Sequence, residues 1–330
     1  MRLFESLDAA KAAGFRSSVV TLGVFDGVHI GHRYVLRECL RLAAERGVES
    51  VVVTFVHHPR AVIAGKAPKL ITSIGHRLRL FAELGIENVL ALTFDDQIRE
   101  TPADDFAHSV FEDILKAQVV VLGHNCRFGK NREGDAEYLI ERAGEFAFKA
   151  RHAKEVSIGR HIVSSTSIRR AILDGDLEAA SSMLGRPFAI YGAVVKGDGR
   201  GRTIGFPTAN LDLHHELRPP RGVYGTRVRL NDGQQFDALV NIGVRPTFKE
   251  APPNDWEGRD RFETVEAHLL DFEGDLYGRD LEVTFLTHIR EEMKFEGAEA
   301  LTARIKQDRA TFLAFLAGRH QSVDSSESPR

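Results

Sequence analysis

The chain has 330 residues, 43% of them hydrophobic and 28% charged, with a formal net charge of −3 at pH 7. That is enough chain for two domains, and the composition excludes disordered and fibrous classes. The near-neutral balance offers no general attraction to nucleic acid or a membrane surface, so any phosphate chemistry must use local clusters of the 44 Lys and Arg residues.

The first residues, Met1 to Asp8, lack the apolar core of a signal peptide, and no apolar run is long enough to span a bilayer. Cys39 and Cys126 show no disulfide framework or metal spacing, which fits a reducing cytoplasm. The expectation is a cytoplasmic protein without nucleic-acid or membrane partners, its oligomeric state open.

In chain order, Ser18–Val24, Ser50–Phe55, Asn88–Thr93 and Gln118–Leu122 read as buried strands. Arg33–Arg46, Ile74–Leu84 and Pro102–Lys116 carry helical spacing between them. This alternation predicts a parallel α/β sheet with helices on both faces. After Met183-Leu184-Gly185-Arg186-Pro187 the rhythm changes. Phe188–Val195, Gly222–Leu230, Phe236–Ile242, Thr264–Leu270 and Leu281–Leu286 are strand-like, Asn231-Asp232-Gly233 is a hairpin signal, and Gly297–Leu316 is helical. The second half therefore reads as an antiparallel β-barrel with a terminal helix. The expected organisation is 1–186, then 187–320, then a disordered Ser- and charge-rich tail at 321–330.

The stretch Thr21-Leu22-Gly23-Val24-Phe25-Asp26-Gly27-Val28-His29-Ile30-Gly31-His32 stands where a strand turns into a helix. Gly27 and Gly31 let the backbone approach a ligand. A helix beginning near His32 would direct free N–H groups at it, and two imidazoles three residues apart share one face of that turn. Such a site suits a polyphosphate and the charge that develops when a phosphoanhydride breaks. The alternatives are satisfied loop histidines or a partial metal site still needing a third ligand.

Gly23-Val24-Phe25-Asp26-Gly27-Val28-His29-Ile30-Gly31-His32 resembles the H-x-G-H motif of nucleotidylyltransferases, in the version carried by prokaryotic bifunctional riboflavin kinase/FAD synthetases. Val53–Pro59, Leu122–Gly129 with Gly134-Asp135, and Ser164-Ser165-Thr166-Ser167-Ile168-Arg169 are similar to further segments of that family. The resemblance implies a Rossmann-like FMN adenylyltransferase domain with His29 and His32 catalytic. It places Gly23, Phe25, Gly27, Gly31, Asn125, Ser165, Thr166 and Arg169 at ATP or phosphate, and Asp26 and His58 at the flavin. Ser165 or Thr166 is expected to cap a helix, and Arg169 could clamp the leaving pyrophosphate. For Asn125 an Asx-turn is the alternative, and Cys126 reads as a small packing residue. His57, where the family often has Pro, and Cys126, where it has an aromatic, depart from the pattern.

In Lys196-Gly197-Asp198-Gly199-Arg200-Gly201-Arg202 the glycines alternate with basic residues, and neither a P-loop nor a dinucleotide fingerprint fits. A basic flap over phosphates and a solvated hairpin loop both stand. Gly205-Phe206-Pro207-Thr208-Ala209-Asn210 then resembles the P-T-A-N motif of riboflavin kinases. The likeness continues through Pro220–Gly225, Asn241–Thr247, Thr264–Phe272, Gly274–Gly278 and Ile289-Arg290 with Lys294-Phe295. It implies ATP and Mg²⁺ at Thr208 and Asn210, phosphate at Gly197, flavin at Tyr224 and Arg290, and Glu266 as catalytic base. A Glu in an alternating strand could equally face solvent. The Lys249–Phe262 loop, with Trp256, is longer than the family minimum and reads as a variable surface insertion, the alternative being a loop that closes over the flavin.

The resemblance thus implies a transferase that makes FMN from riboflavin and ATP and then FAD from FMN and a second ATP, with Mg²⁺ in both steps. Alternatives are an active kinase half alone, a nucleotidylyltransferase for another phosphate ester, or a binding regulator without turnover.

Overall fold

The fold is given by a computed structural model that describes residues 1–60, 62, 68–159, 161–197, 199–214, 216–244 and 263–324. The Lys249–Phe262 loop, Arg245-Pro246-Thr247 and Asp198 lie outside the described residues. The chain forms two compact units: Met1–Arg170 with Ala179–Arg186, and Ala171–Glu178 with Pro187–Arg330.

In the first unit, β2 (Ser18–Leu22) reads Ser-Val-Val-Thr-Leu, and every residue is buried. A β-branched strand covered on both faces belongs inside a parallel sheet. It lies in a six-stranded sheet with β1 (Arg2–Phe4), β3 (Glu49–Phe55), β4 (Asn88–Leu92), β5 (Ala117–Leu122) and β6 (Lys149–His152), in the order β1-β4-β3-β2-β5-β6. All pairings are parallel. The chain runs outward from β2 in both directions, so the crevice beyond the C-terminal ends of β2 and β5 is the switch point where such sheets hold ligands. Leu22 pairs with both Val53 and Leu122, so β2 and β5 end level there while β3 runs on to Phe55.

Helices cover both faces, as the alternation predicts. After α1 (Leu7–Ala12), α2 (Ile30–Arg46) and α3 (Ile74–Glu83) contribute Leu36, Cys39, Leu42, Leu80 and Phe81 to one core, against Val19, Val52 and Val89. The other core holds Phe106, Val110 and Phe111 against Val20, Val51 and Val53. The expected continuous helix at 102–116 is instead α4 (Asp96–Glu100) and α5 (Ala103–Phe106) followed by a π-helical stretch at Ala107–Ile114. The wider turn brings residues five apart onto one face, and Phe106 and Phe111 meet edge-on at 5.4 Å. Edge strands β1 and β6 are short and half exposed, so their sequences carry no period to read.

The remaining helices of this stretch are α6 (Ala136–Glu141), α7 (Ser165–Leu173) and α8 (Leu177–Leu184), with a small hairpin of β7 (Ser157–Ile158) and β8 (His161–Ile162) before α7.

The second unit is a closed antiparallel barrel in the order β10-β13-β12-β11-β14-β9. Its elements are β9 (Ala189–Val195), α9 (Arg200–Thr203), β10 (Ala209–Asp212), β11 (Gly222–Leu230), β12 (Gln235–Val244), β13 (Glu263–Leu269), β14 (Asp280–Arg290) and α10 (Ala298–Asp324). Burial alternates strictly along β13, as a barrel wall requires. Phe312 of α10 is fully buried against Leu239 and Leu270, and Gly225 leaves room for its ring, since a Cβ there would collide with it. Helix α10 continues to Asp324, and residues 325–330 lie outside the described residues.

One residue ties the switch point together from beneath. Arg77 of α3 has no exposed surface. Its NH1 donates to the Val24 carbonyl at 2.6 Å and to Thr54 Oγ1 at 3.0 Å, and its NH2 to the carbonyls of Phe55 and Val56 at 2.9 and 3.2 Å. A planar fork suits this pattern and an ammonium does not. Arg77→Met should destabilise the first unit by about 3 kcal/mol or more, read as an earlier melting transition for that unit with the barrel's transition unmoved. Arg77→Lys should restore less than half of the loss.

Candidate functional site

The loop from β2 to α2 is held in an unusual backbone shape. Phe25, Gly27 and Val28 have φ of 51°, 85° and 40°. For β-branched Val28 this is a strained conformation that persists only when the surroundings impose it. The surroundings do so. The Gly27 N–H donates to Thr72 Oγ1 at 2.8 Å, and Arg186 donates to the Gly27 and Val28 carbonyls at 2.9 and 3.3 Å. The Gly23 N–H donates to the Val53 carbonyl at 3.0 Å.

The centre of this arrangement is Asp26, which is 2% exposed. Its carboxylate accepts the N–H groups of Ile71 and Thr72, each at 2.9 Å, and pairs with Arg169 at 2.5 Å. Arg169 also donates to the Lys69 carbonyl at 2.7 Å, and Ser165 Oγ donates to the Asp26 carbonyl at 2.9 Å. The loop, the segment before α3 and the start of α7 thus converge on one residue. Ser165 and Thr166 do not cap α7 as expected. Ser164 does, its hydroxyl accepting the Ser167 N–H at 3.1 Å. Ser165 is occupied by Asp26 instead, and Thr166 is exposed.

Helix α2 begins at Ile30, earlier than expected, because His29 is its N-cap: Nδ1 accepts the His32 N–H at 3.3 Å. That bond puts the proton of the neutral His29 ring on Nε2. The His29 and His32 rings stack with centroids 3.5 Å apart, and Phe25 meets His32 edge-on at 5.4 Å. Gly31 makes the cap possible, since a Cβ there would press within 3.2 Å of the His29 ring. Burial pushes the His29 pKa down to about 4, against the pull of Asp26, and lowers that of His32 for the same reason, with His29 adding to it. At neutral pH both rings therefore offer N–H dipoles rather than charge.

Around this core, burial, with Arg169 nearby, lowers His58 to about 4, and its Nδ1 accepts the Arg60 N–H at 3.2 Å. His57 and Asn125 are exposed, Asn125 just beyond β5. Cys126 packs against the core with Sγ 3.2 Å from the Leu22 carbonyl.

In the barrel, pairing of β10 with β13 puts Asn210 opposite Glu266. Thr208 Oγ1 lies 3.4 Å from Glu266 Oε2. The missing Cβ of Gly197 makes room for the Asn210 amide, which a side chain there would displace. His268, one pleat along β13, donates from Nδ1 to the Pro207 carbonyl at 2.8 Å, and its ring meets Phe206 edge-on. It thereby fixes the Phe206-Pro207 turn that leads to Thr208. Tyr224 and Arg290 are each held by a partner of their own. The Tyr224 hydroxyl donates to the Pro220 carbonyl at 2.6 Å, and burial raises its pKa. Arg290 pairs with buried Asp308 of α10 at 2.9 Å.

Sequence reading missed Arg77, Thr72, Arg186 and the anchoring bond of His268. None has a local signal, because each acts on backbone far away in the chain.

Two family models match the chain: FAD synthetase over residues 11–167 and riboflavin kinase over residues 184–316. A bifunctional riboflavin kinase/FMN adenylyltransferase from Haemophilus influenzae is 33% identical, over 96% of this chain and 99% of its own. The protein of that description from Escherichia coli K12 is 36% identical, over 96% and 98%. The solved structure of a macrolide-efflux protein from Streptococcus pneumoniae superposes with a TM-score of 0.74 and 30% identity, covering 94% of this chain and 98% of that one. Among the described residues of the present chain, no helix is long and apolar enough to cross a membrane.

The depressed pKa of His29 has a measurable consequence. The unfolded chain takes up this proton near pH 6.5 and the folded chain only near 4, so the unfolded state binds more protons between them. Folded stability is therefore whole above pH 6.5 and declines toward pH 4, by on the order of 3 kcal/mol for this group. Urea unfolding of the first unit should show that decline, and His29→Gln should flatten part of it.

Proposed function

The chain belongs to the family of bifunctional riboflavin kinases/FMN adenylyltransferases, and from that premise we propose how its two units divide the work. The protein is a transferase with both activities: it phosphorylates riboflavin to FMN and adenylylates FMN to FAD, with ATP as co-substrate. We assign adenylylation to residues 1–186 and phosphorylation to residues 187–320. The observation that carries the assignment is that each unit is matched by its own family model and has its own cluster of phosphate-suited groups.

In the first unit, a phosphate oxygen of FMN attacks the α-phosphorus of ATP and pyrophosphate leaves. His29 and His32 stand at the switch point as neutral N–H donors beside the free N–H groups of the α2 N-terminus. Such preorganised dipoles stabilise charge as it develops without reorienting. Asp26 and Arg169 are assigned as ligand-facing by the resemblance. Their mutual ion pair supports the further role of keeping the strained loop in shape. Gly23, Phe25, Gly27, Gly31, Asn125, Ser165, Thr166 and His58 remain candidates for ATP and flavin contact around this crevice.

In the second unit, Glu266 takes the proton of the riboflavin 5′-hydroxyl as that oxygen attacks the γ-phosphorus and ADP leaves. The Thr208 hydroxyl and the Asn210 amide oxygen are hard donors of the kind Mg²⁺ accepts beside phosphate oxygens. Gly197, whose missing Cβ leaves room for the Asn210 amide, remains a candidate for phosphate contact. These residues fit Mg²⁺, which when bound offsets phosphate charge. Tyr224 and Arg290 are the flavin-side candidates.

The test is a time course with riboflavin, ATP and Mg²⁺, separating the flavins, for the native chain and two variants. Glu266→Gln should lower FMN formation by about 10²- to 10⁴-fold and leave FAD formation from supplied FMN intact. His32→Ala should do the reverse, lowering FAD formation by about 10²-fold. Loss of both activities in either variant would contradict the division. A chelator should stop both reactions, and added Mg²⁺ should restore them.

A further inference from the structure

Glu266 stands in a row of side chains that crosses the barrel wall. Strand pairing sets Asn210 opposite it on β10 and Asn241 opposite it on β12. Residues directly opposite share a face, with Cβ atoms about 4.5–5.5 Å apart. Asn210 belongs to the phosphate side already described, and Asn241 has had no role so far.

The Asn241 amide lies back over Gly243, two residues along on the same face. A methyl group on Gly243 would come within 2.9 Å of Asn241 Nδ2 and would collide with Glu292 Oε1. Glu292 is itself anchored, because Oε1 accepts the Val244 N–H at 3.1 Å. Asn241 thus has Glu266 as its ladder neighbour on β13, and its amide shares the space over Gly243 with the Glu292 carboxylate. Carboxylates accept and do not donate, and a primary amide carries two N–H donors. A catalytic base works best when a third group fixes its orientation.

We propose that Asn241 is a positioning residue for the phosphorylating site: its amide N–H orients the Glu266 carboxylate toward the substrate hydroxyl, and Glu292 holds Asn241 in turn. This rests on the reading of Glu266 as the base. Asn241 touches neither phosphate nor flavin in this assignment, so its loss slows the chemical step and spares binding.

The experiment measures kcat and KM for FMN formation in the full chain carrying Asn241→Leu, Glu292→Gln or Glu266→Gln, with FAD formation from supplied FMN as the internal control. Asn241→Leu should lower kcat by about 10- to 100-fold while KM for ATP and for riboflavin stays within about threefold. Glu292→Gln should move kcat in the same direction by less. FAD formation should not change. An Asn241→Leu kcat within twofold of native overturns the proposal, and so does a raised riboflavin KM with kcat retained, which would make the amide a substrate contact. If Asn241→Leu leaves no folded barrel by its melting transition, Asn241→Ser carries the same kcat-against-KM reading. Should Glu266→Gln keep full kinase activity, the assignment of the base fails and the proposal falls with it. An inactive Glu266→Gln beside a normal Asn241→Leu sinks the proposal alone.

Discussion

The first unit depends on one buried carboxylate. Asp26 is removed from water at the end of a central strand, where an uncompensated charge would be untenable. It is compensated by two backbone N–H groups, one hydroxyl and a guanidinium, drawn from segments about 45 and 143 residues away in sequence. Each partner can make its bond only if the loop between β2 and α2 takes its strained course. The charge therefore stores the loop's geometry, and the loop delivers His29 to the first turn of α2. Arg77 works from the other side, binding the carbonyls at the ends of β2 and β3 that would otherwise face each other across the crevice. Together the two buried charges give the switch point a fixed shape without any ligand.

The second unit reaches the same end by register. In a closed barrel a one-residue slip would send Glu266 to the opposite face. The pairing is pinned at the start of β13, where Glu263, with its side chain fully buried, accepts from Arg218 at 2.9 Å and Arg221 at 2.7 Å. From there the alternation of burial carries Glu266 to the face it shares with Asn210, and His268 to the Phe206-Pro207 turn. The Arg290–Asp308 pair ties the end of β14 to α10 in the same way.

In the proposed division of work the two units differ in the groups they would offer to phosphate. The α/β unit presents uncharged imidazoles whose pKa values burial has lowered, backed by helix N–H groups. The barrel presents a carboxylate, a hydroxyl and an amide, groups suited to accepting a proton and to sharing a cation with a polyphosphate. Only the second needs a base, because an alcohol must lose its proton to be phosphorylated, whereas the phosphate of FMN is already an anion.

The sequence alone determined what depends on short-range pattern: the strand–helix alternation of the first half, the barrel of the second, and the motifs around His29, Thr208 and Glu266. Those readings rest on periods of two and 3.6 residues and on contiguous stretches of chain, both visible in one dimension. Edge strands β1 and β6 and the π-helical turn at 107–114 left no such trace, because edge pairing and the meeting of Phe106 with Phe111 are decided by neighbours. Assigning the cap of α7 to Ser165 or Thr166 failed because Ser165 is claimed by the Asp26 carbonyl, 139 residues away in sequence, a competitor that propensity does not contain. Only the tertiary structure decided that Asp26 and Arg169 pair with each other, that Arg77 is wholly buried, and that Glu266 lies between two asparagines, because each of these depends on which distant backbone arrives beside it.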